Sequence, residues 1–431
     1  MNRTVLRLAI PSIFANITVP LVGMADTAIA GRLGDAAVLG GIAIASMLFD
    51  LLYWNMGFLR MGTGGMVAQA YGRGDFKDAI NTYALGMATA LCFAFLFISL
   101  QWVYVDVAFR FIECSPQVEE LARSYFYIRI WAAPATLCLN VFKGFFIGMQ
   151  NAVSPMAVDV TVNLTNIAAS IFFAFYAGLG FDGIAWGTLV AQYTGLFLAI
   201  ILMVVQYRKY FHLIDIKRSV KPGNVKRFFM LNADLFMRSV SFLFIYAGLT
   251  SLAARYGDVD LAVSSIMMKL MLLYSYFVDG FAYAGEALSG RYIGAKDQKS
   301  LRWAVRVIFC WCIGIGVVST VGYWAGGEWM FRLMTTDPLV LAESGRFLPW
   351  LLVMPLISCV AFTWDGIFIG ATATRPIRNS MFCAVAAFYF CWFIFKGPFG
   401  VQSLWVGYMA HLAVRTIWLS AVAKKLLTLE S

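Results

Sequence analysis

About twelve apolar segments run along this chain, each long enough to cross a lipid bilayer as an α-helix, which needs roughly 20 residues. Of the 431 residues, 61% are hydrophobic and 13% are charged, whereas soluble domains carry about a quarter charged residues. The sequence therefore predicts an all-α polytopic membrane protein. The predicted spans are 5–31, 37–70, 80–108, 121–149, 153–178, 183–206, 228–255, 260–292, 302–325, 341–370, 377–396 and 400–423.

The longest polar connection, 208–227, lies halfway along the chain and separates two predicted six-helix lobes, 1–207 and 228–431. It carries seven lysines and arginines against a single acid, Asp215. Because short loops rich in Lys and Arg stay in the cytoplasm, this basic linker is predicted to be cytoplasmic, and counting spans places both termini there too. The same rule accounts for the net charge of +10 without nucleic-acid binding.

An internal repeat is indicated by two pairs of segments, both offset by 222 residues. Gly72–Asp75 matches Gly294–Asp297, and Lys143–Gly148 matches Asp365–Gly370. Two copies of six spans have the same orientation because six is even. The sequence therefore predicts a parallel, pseudo-symmetric repeat with a cavity between its halves.

Catalytic and metal-binding patterns are missing from the sequence. It contains no G-x-S-x-G, H-E-x-x-H or C-x-x-C, and its two histidines are isolated. We therefore expect no catalytic residues, no metal site and no cofactor. A channel is also disfavoured because no repeated pore-loop pattern occurs.

The first span carries a carboxylate, Asp26, and two prolines, Pro11 and Pro20. A charged carboxylate near mid-bilayer costs roughly 3 kcal/mol on insertion scales, so such residues usually face an internal cavity. Each proline removes one backbone hydrogen bond and gives the helix a place to bend. No base lies within the eighteen residues before Asp26. The simplest hypothesis is a proton-carrying group on a bendable helix; the alternative is a structural carboxylate bonded to a polar side chain of another span.

The second half carries its own candidates, Asp279, Glu286 and Asp365. Asp279 and Glu286 lie seven residues apart, on one face of a helix. They either form a cation site or compensate basic residues such as Lys269 and Arg60.

Other charged residues within spans have simpler expectations. Asp234 and Arg238, at i and i+4, are expected to pair with each other. Arg129, Lys143 and Arg238 are expected to reach the interface or to pair with a neighbouring helix.

A polar stripe marks the fifth span, where Asn163, Asn166 and Ser170 share one helical face. Hydrogen bonding between packed helices explains such a stripe. The sharper alternative is a substrate or proton cavity shared with Asp26.

The chain resembles the multidrug and toxic compound extrusion (MATE) transporters, and among them the DinF subfamily. The resemblance rests on a P-x14-D-T-x3-G-x-L-G arrangement that begins at Pro11 and includes Asp26 and Thr27. Further similar motifs are Phe58–Met61 leading to Ala68–Gly72, Asp279–Ala284 with Glu286, and Asp365–Thr372 with Arg378–Ser380.

The resemblance implies a fold of two six-helix lobes around a central cavity, and efflux of organic, often cationic, compounds in exchange for protons or sodium. It implies that Asp26 is the proton-coupling acid and that the first helix bends at Pro11. Asn166 matches the family's fifth-span asparagine, and Thr27 belongs to the same candidate cavity. Ser170 stands where many relatives have an aspartate, which leaves Asp26 as the main titratable group of the first lobe and weakens a sodium site.

Proton antiport by alternating access is therefore the function predicted, with a lipid-linked precursor flippase of the same superfamily as the alternative. A flippase would be expected to line its cavity with several cations, whereas the first span offers an acid. The predicted partners are a small organic substrate and the lipid bilayer. A monomer in the bacterial inner membrane is expected.

Overall fold

A computed structural model describes residues 1–34, 36–215 and 221–428. Within these ranges, twelve helices are long and apolar enough to cross a membrane, which confirms the predicted fold class. The first six are α1 (Asn2–Leu33), α2 (Ala37–Arg73), α3 (Phe76–Ser99), α4 (Pro116–Gly148), α5 (Val153–Tyr176) and α6 (Asp182–Leu213). The other six are α7 (Pro222–Ala253), α8 (Asp258–Gly294), α9 (Gln298–Met334), α10 (Pro338–Gly370), α11 (Thr374–Phe399) and α12 (Gln402–Lys424).

The third span is shorter than its apolar sequence suggests. Helix α3 ends at Ser99, and a separate helix, Gln101–Phe109, follows after Leu100. The Gln101 side chain donates to the Ile98 carbonyl at 2.9 Å, which satisfies one of the carbonyls freed at the helix end. Hydropathy alone could not locate this break because both helices are apolar.

The helices form two compact units. The first unit is Phe14–Phe228, and the second is Met1–Ile13 together with Phe229–Ser431. The predicted division instead assigned all of residues 1–207 to the first lobe. Residues 1–13 group with the second unit because Gly280 packs closely on them: a Cβ added there would lie 2.9 Å from the Ala9 carbonyl oxygen.

The start of the predicted linker is ordered within the first unit. Arg208–Leu213 forms the 3-10 turn with which α6 ends. The Asn81 side chain donates to the Leu213 carbonyl at 3.3 Å and accepts from the Asp215 amide at 2.8 Å. Residues 216–220 of the linker lie outside the described residues.

The repeat at an offset of 222 recurs in the backbone of both units. Gly74 has φ 72° and Lys296 has φ 56°, so each turn passes through the left-handed region at the same place. The next residue is an aspartate that caps the following helix: Asp75 accepts from the Asp78 amide at 2.9 Å, and Asp297 accepts from the Ser300 amide at 3.0 Å.

Close helix crossings recur at the same offset. A Cβ on Gly144 would lie 2.3 Å from the Arg60 carbonyl oxygen, and one on Gly366 would lie 2.1 Å from the Ala282 carbonyl oxygen. These glycines bring α4 onto α2 in the first unit and α10 onto α8 in the second. Small residues allow such backbone contact between membrane helices.

Candidate functional site

Asp26 lies on α1 within the first unit and is half-buried. Its Oδ1 atom is buried and has no hydrogen-bond partner among the described residues. The opposite charge within electrostatic range of this carboxylate belongs to Arg129 of α4. Asp26 and Arg129 lie 103 positions apart in the chain, so the sequence alone could not show that the two charges come close together.

Arg129 is held by aromatic side chains. Its guanidinium carbon lies 4.5 Å from the centre of the Phe49 ring and 5.7 Å from that of Tyr125, and Nη1 donates to the Tyr125 hydroxyl at 3.2 Å. It also attracts Asp50 of α2, whose side chain is exposed. Arg129 therefore contacts the neighbouring helix α2 through Phe49 and lies within electrostatic range of two carboxylates, those of Asp26 and Asp50.

An apolar groove with a volume of about 520 Å³ lies in the same unit. Trp131, two residues after Arg129, forms one wall, and the Tyr193 hydroxyl donates to the Trp131 carbonyl at 2.9 Å. The other lining residues come from α6: Leu189, Val190, Thr194 and Phe197. Trp131, Tyr193 and Phe197 of this lining are exposed, so the groove is an open apolar surface of the unit rather than an enclosed ligand site.

Helix α1 continues through both of its prolines. Between them, the Asn163 amide of α5 donates to the Thr18 hydroxyl at 2.5 Å, and that hydroxyl donates to the Ala15 carbonyl at 2.7 Å. The Thr27 hydroxyl donates to a carbonyl of its own helix, Gly23, at 2.8 Å. Asn163 therefore contacts the first helix, whereas the Thr27 hydroxyl donates within α1.

The other two residues of the polar stripe face α6 instead. The buried Asn166 amide donates to the Thr188 hydroxyl at 2.9 Å. Ser170 is fully buried, and its hydroxyl lies 3.4 Å from the Ile184 carbonyl. A Cβ added at Gly187 would lie 2.2 Å from the Ser170 hydroxyl oxygen. The stripe is thus divided between two neighbours, and Ser170 lies in a helix contact.

Asp365 is surrounded by cations. Its Oδ2 atom accepts from Arg238 of α7 at 2.7 Å and from Arg415 of α12 at 2.5 Å. The side chain is buried, with 4% of its surface exposed. Asp365 thus accepts hydrogen bonds from two arginines, whereas Asp26 lies within electrostatic range of one, Arg129.

The expected pairing of Asp234 with Arg238 is wrong. Asp234 accepts from Arg378 at 2.6 Å and from the Thr374 hydroxyl at 2.9 Å, both on α11. Arg238 points instead to Asp365 on α10. Spacing along one helix permits a pair, but here each residue forms a charge-assisted hydrogen bond with another helix.

Asp279 and Glu286 both lie on α8, where Glu286 is buried and Asp279 is half-buried. Asp279 lies within electrostatic range of Tyr276 and Cys312. In the part of the chain that the structure describes, no three His, Cys, Asp or Glu side chains form a metal-binding group.

The MatE family model matches residues 11–172 and 235–393. The chain belongs to the MATE family. It is 33% identical over 432 residues to DNA damage-inducible protein F of Escherichia coli K12, covering 98% of this chain and 92% of that protein. This finding confirms the resemblance to the DinF subfamily.

Solved MATE structures share the fold. One described as the outward-facing conformation of a multidrug resistance MATE family transporter has a TM-score of 0.88 at 17% identity, covering 100% of this chain and 97% of that one. Another, described as MATE in the bent conformation, has a TM-score of 0.88 at 18% identity, with coverage of 99% and 96%. This MATE protein is therefore a multi-pass membrane transporter.

Proposed function

We propose that this MATE transporter is a proton-coupled antiporter that exports organic, often cationic, compounds by alternating access. The observation that carries the proposal is the set of charges around Asp26. Asp26 and Asp50 both lie within electrostatic range of one arginine, Arg129, and the three charges sum to −1. Protonation of Asp26 brings the sum to 0. A monovalent cation is thus attracted before protonation and released after it.

Arg129 determines how this exchange works. In the ionised state it neutralises part of the charge on Asp26, so a cationic substrate has to compete with an internal counter-ion. After protonation of Asp26, Arg129 turns toward Asp50 and loses its attraction to α1. Drug and proton therefore each favour a different state by their differential interaction with the same carboxylate, which is sufficient for coupling.

Helix α1 supplies the mechanical part of the proposal. Its residues 2–13 group with the second unit and residues 14–33 with the first. Pro11 and Pro20 lie on either side of this division and each lacks an amide hydrogen bond. Protonation of Asp26 then bends α1 near these prolines and breaks the Asn163–Thr18 contact. Asn166 and Ser170 hold α5 against α6 during the change.

The driving force follows from the charge count. Exchange of one proton for one monovalent cation is electroneutral, so one pH unit supplies about 1.4 kcal/mol, or roughly tenfold accumulation. A neutral substrate would also draw on membrane voltage, about 2.3 kcal/mol per 100 mV. We place the protein in the bacterial inner membrane as a monomer, with both termini in the cytoplasm, in accord with the basic linker.

The test is drug-dependent proton movement in proteoliposomes under an imposed pH gradient. The chains compared are wild type, Asp26→Asn and Asp106→Asn, the last removing an acid that pairs with Arg123 at 2.8 Å. We expect wild type and Asp106→Asn to couple the two fluxes, and Asp26→Asn to bind drug without coupling. Normal coupling by Asp26→Asn would refute the assignment and transfer attention to Asp279 and Glu286. Repeating the assay with a sodium gradient in place of the pH gradient distinguishes sodium coupling from proton coupling.

A further inference from the structure

A second apolar groove lies on the surface of the first unit, beside the break that follows α3, and has a volume of about 330 Å³. One wall consists of four side chains that share one helical face across the break, Leu96, Leu100, Val103 and Val107. Each of the four has 44–60% of its surface exposed, so this apolar face is open. We call this feature the α3 groove.

The floor of the α3 groove is aromatic and held in place by the unit itself. Phe126 of α4 is fully buried, and its ring stacks on that of Tyr104 with the ring centres 5.6 Å apart. The Tyr104 hydroxyl donates to the Leu48 carbonyl at 2.8 Å, which ties the helix Gln101–Phe109 to α2. The groove is therefore part of the packed unit rather than a gap between loose side chains.

Ion pairs at one end of the α3 groove mark the level of the lipid headgroups. Arg123 donates to Asp106 and to Glu119, both at 2.8 Å, and the Asp106 side chain is 60% exposed. Exposed charges avoid the hydrocarbon core, so the chain beside Val107 lies at the membrane interface. From Val107 back to Leu96 is eleven residues, or roughly 16 Å of helix, which matches the ~15 Å hydrocarbon thickness of one leaflet.

Arg110 lies at the headgroup end of the α3 groove. Its amide donates to the Val107 carbonyl at 3.2 Å, and its backbone is still helical with φ −74° and ψ −21°. It therefore continues the helical face of Val103 and Val107. The Arg110 side chain is exposed and forms no ion pair within the part of the chain that the structure describes. An arginine so placed suits a phosphate group, which it binds through charge-assisted hydrogen bonds.

The chain around Arg110 is acidic overall. Residues 106–123 contain four acids and two bases, Arg110 included. A ligand with a net negative charge is repelled by this excess of acids. A ligand whose phosphate is compensated by its own cationic group is not.

We propose that the α3 groove binds one zwitterionic phospholipid of the surrounding bilayer. One acyl chain lies along Leu96, Leu100 and Val103, and the phosphate accepts hydrogen bonds from Arg110. The cationic headgroup gives the lipid a net charge of zero, in accord with the acidic surroundings. The site does not depend on proton coupling at Asp26.

The second unit provides an internal control. At the repeat offset of 222 residues, 96–107 corresponds to 318–329, and Arg110 corresponds to Arg332. Helix α9 runs unbroken through this stretch, and Gly322 occupies the position at which the first unit has its break. The two stretches therefore share the arginine but differ in the side chains that form the groove.

The experiment uses the purified full chain in phosphatidylglycerol vesicles that contain a trace of phospholipid with a diazirine in its acyl chain. The probe is photoreactive phosphatidylethanolamine in one arm and photoreactive phosphatidylglycerol in the other. After irradiation, digestion and mass spectrometry measure the labelling of 96–107 and of 318–329. Dividing the labelling by the first probe by that of the second, peptide by peptide, cancels differences in the reactivity of the two peptides.

We expect this ratio to be at least about fivefold higher on 96–107 than on 318–329. Labelling of 96–107 by the phosphatidylethanolamine probe should fall by a similar factor in Arg110→Gln and stay unchanged in the matched control Arg332→Gln. Monodisperse elution from size exclusion establishes that each variant is folded. The wild-type ratio decides the question if Arg110→Gln does not fold.

Three results would overturn the proposal. Equal ratios on the two stretches would mean that both meet only the general lipid shell. Equal labelling of 96–107 in wild type and in folded Arg110→Gln would show that Arg110 does not hold the phosphate. Failure of both probes to label 96–107, together with a chemical crosslink between two chains in this stretch, would show that a second copy of the chain covers the groove.

Discussion

Replacing Gly187 by alanine should separate α5 from α6 and disturb the candidate site without changing any of its polar groups. A Cβ at this position would lie 2.5 Å from the Ser170 amide nitrogen and 2.6 Å from the Ser170 Cα. Ordinary contact begins at 3.4 Å, so the backbones must part by 0.9 Å, the difference between 3.4 and 2.5 Å. Rotation of the Ser170 side chain cannot relieve a backbone contact.

The expected magnitude follows from two terms. Overpacking of this kind costs about 1–3 kcal/mol. The Asn166–Thr188 bond, now 2.9 Å, would lengthen beyond hydrogen-bond distance, at a further cost of about 1 kcal/mol. A loss of roughly 2–4 kcal/mol lowers the unfolding midpoint of a unit of about 200 residues by about 4–16 °C.

A thiol-reactive dye measures this midpoint, because Cys138 of the first unit is buried until the protein unfolds. Gly23→Ala is the control: a Cβ there meets nothing within 4 Å, and alanine favours helix by about 1 kcal/mol. We expect the Gly23→Ala midpoint to equal or exceed that of wild type. A Gly187→Ala midpoint within about 1 °C of wild type would show that α5 and α6 are not in backbone contact, and would refute the reasoning.

Three further predictions concern buried or capping groups. Asp234→Asn should lower the unfolding midpoint, because it leaves Arg378 without its carboxylate; the double variant Asp234→Asn, Arg378→Gln should recover part of the loss in the same dye assay. Ser170→Asp should reduce the yield of folded protein in detergent, because it places a charge in a fully buried helix contact, whereas Ser170→Ala should fold normally. The Ser300 hydroxyl and amide lower the pKa of Asp297 below its usual 3.8, so its cap is present above that pH and is lost as the pH falls through the lowered value. Protection of the Ser300 amide, measured relative to its intrinsic exchange rate, should fall there, and Asp297→Ala should show low protection at all pH values.

Much of the fold was predictable because the bilayer imposes simple rules. Apolar length located the twelve helices, and the 222-residue offset anticipated the matching turns at Gly74 and Lys296. The break at Leu100 was missed because no change in hydropathy marks it. The grouping of residues 1–13 was missed because it depends on close packing against Gly280, which periodicity does not report.

The candidate site was only partly predictable. The sequence identified Asp26 as an intramembrane acid and Arg129 as an intramembrane base, but their meeting requires the tertiary arrangement of α1 and α4. Helical spacing predicted that Asn163, Asn166 and Ser170 share one polar face. It could not show that Asn163 contacts α1 whereas Asn166 and Ser170 contact α6.

The division of α1 also has a consequence for biogenesis. Residues 1–13 are synthesised before residues 229–428, yet those later residues make up the rest of the unit to which residues 1–13 belong. At about 5–20 residues per second, more than ten seconds pass before those partners are complete. During this interval the amino-terminal turns lack the helices with which they pack in the complete chain. Truncated nascent chains that end near residue 228 should therefore leave this segment accessible to crosslinking, and full-length chains should protect it.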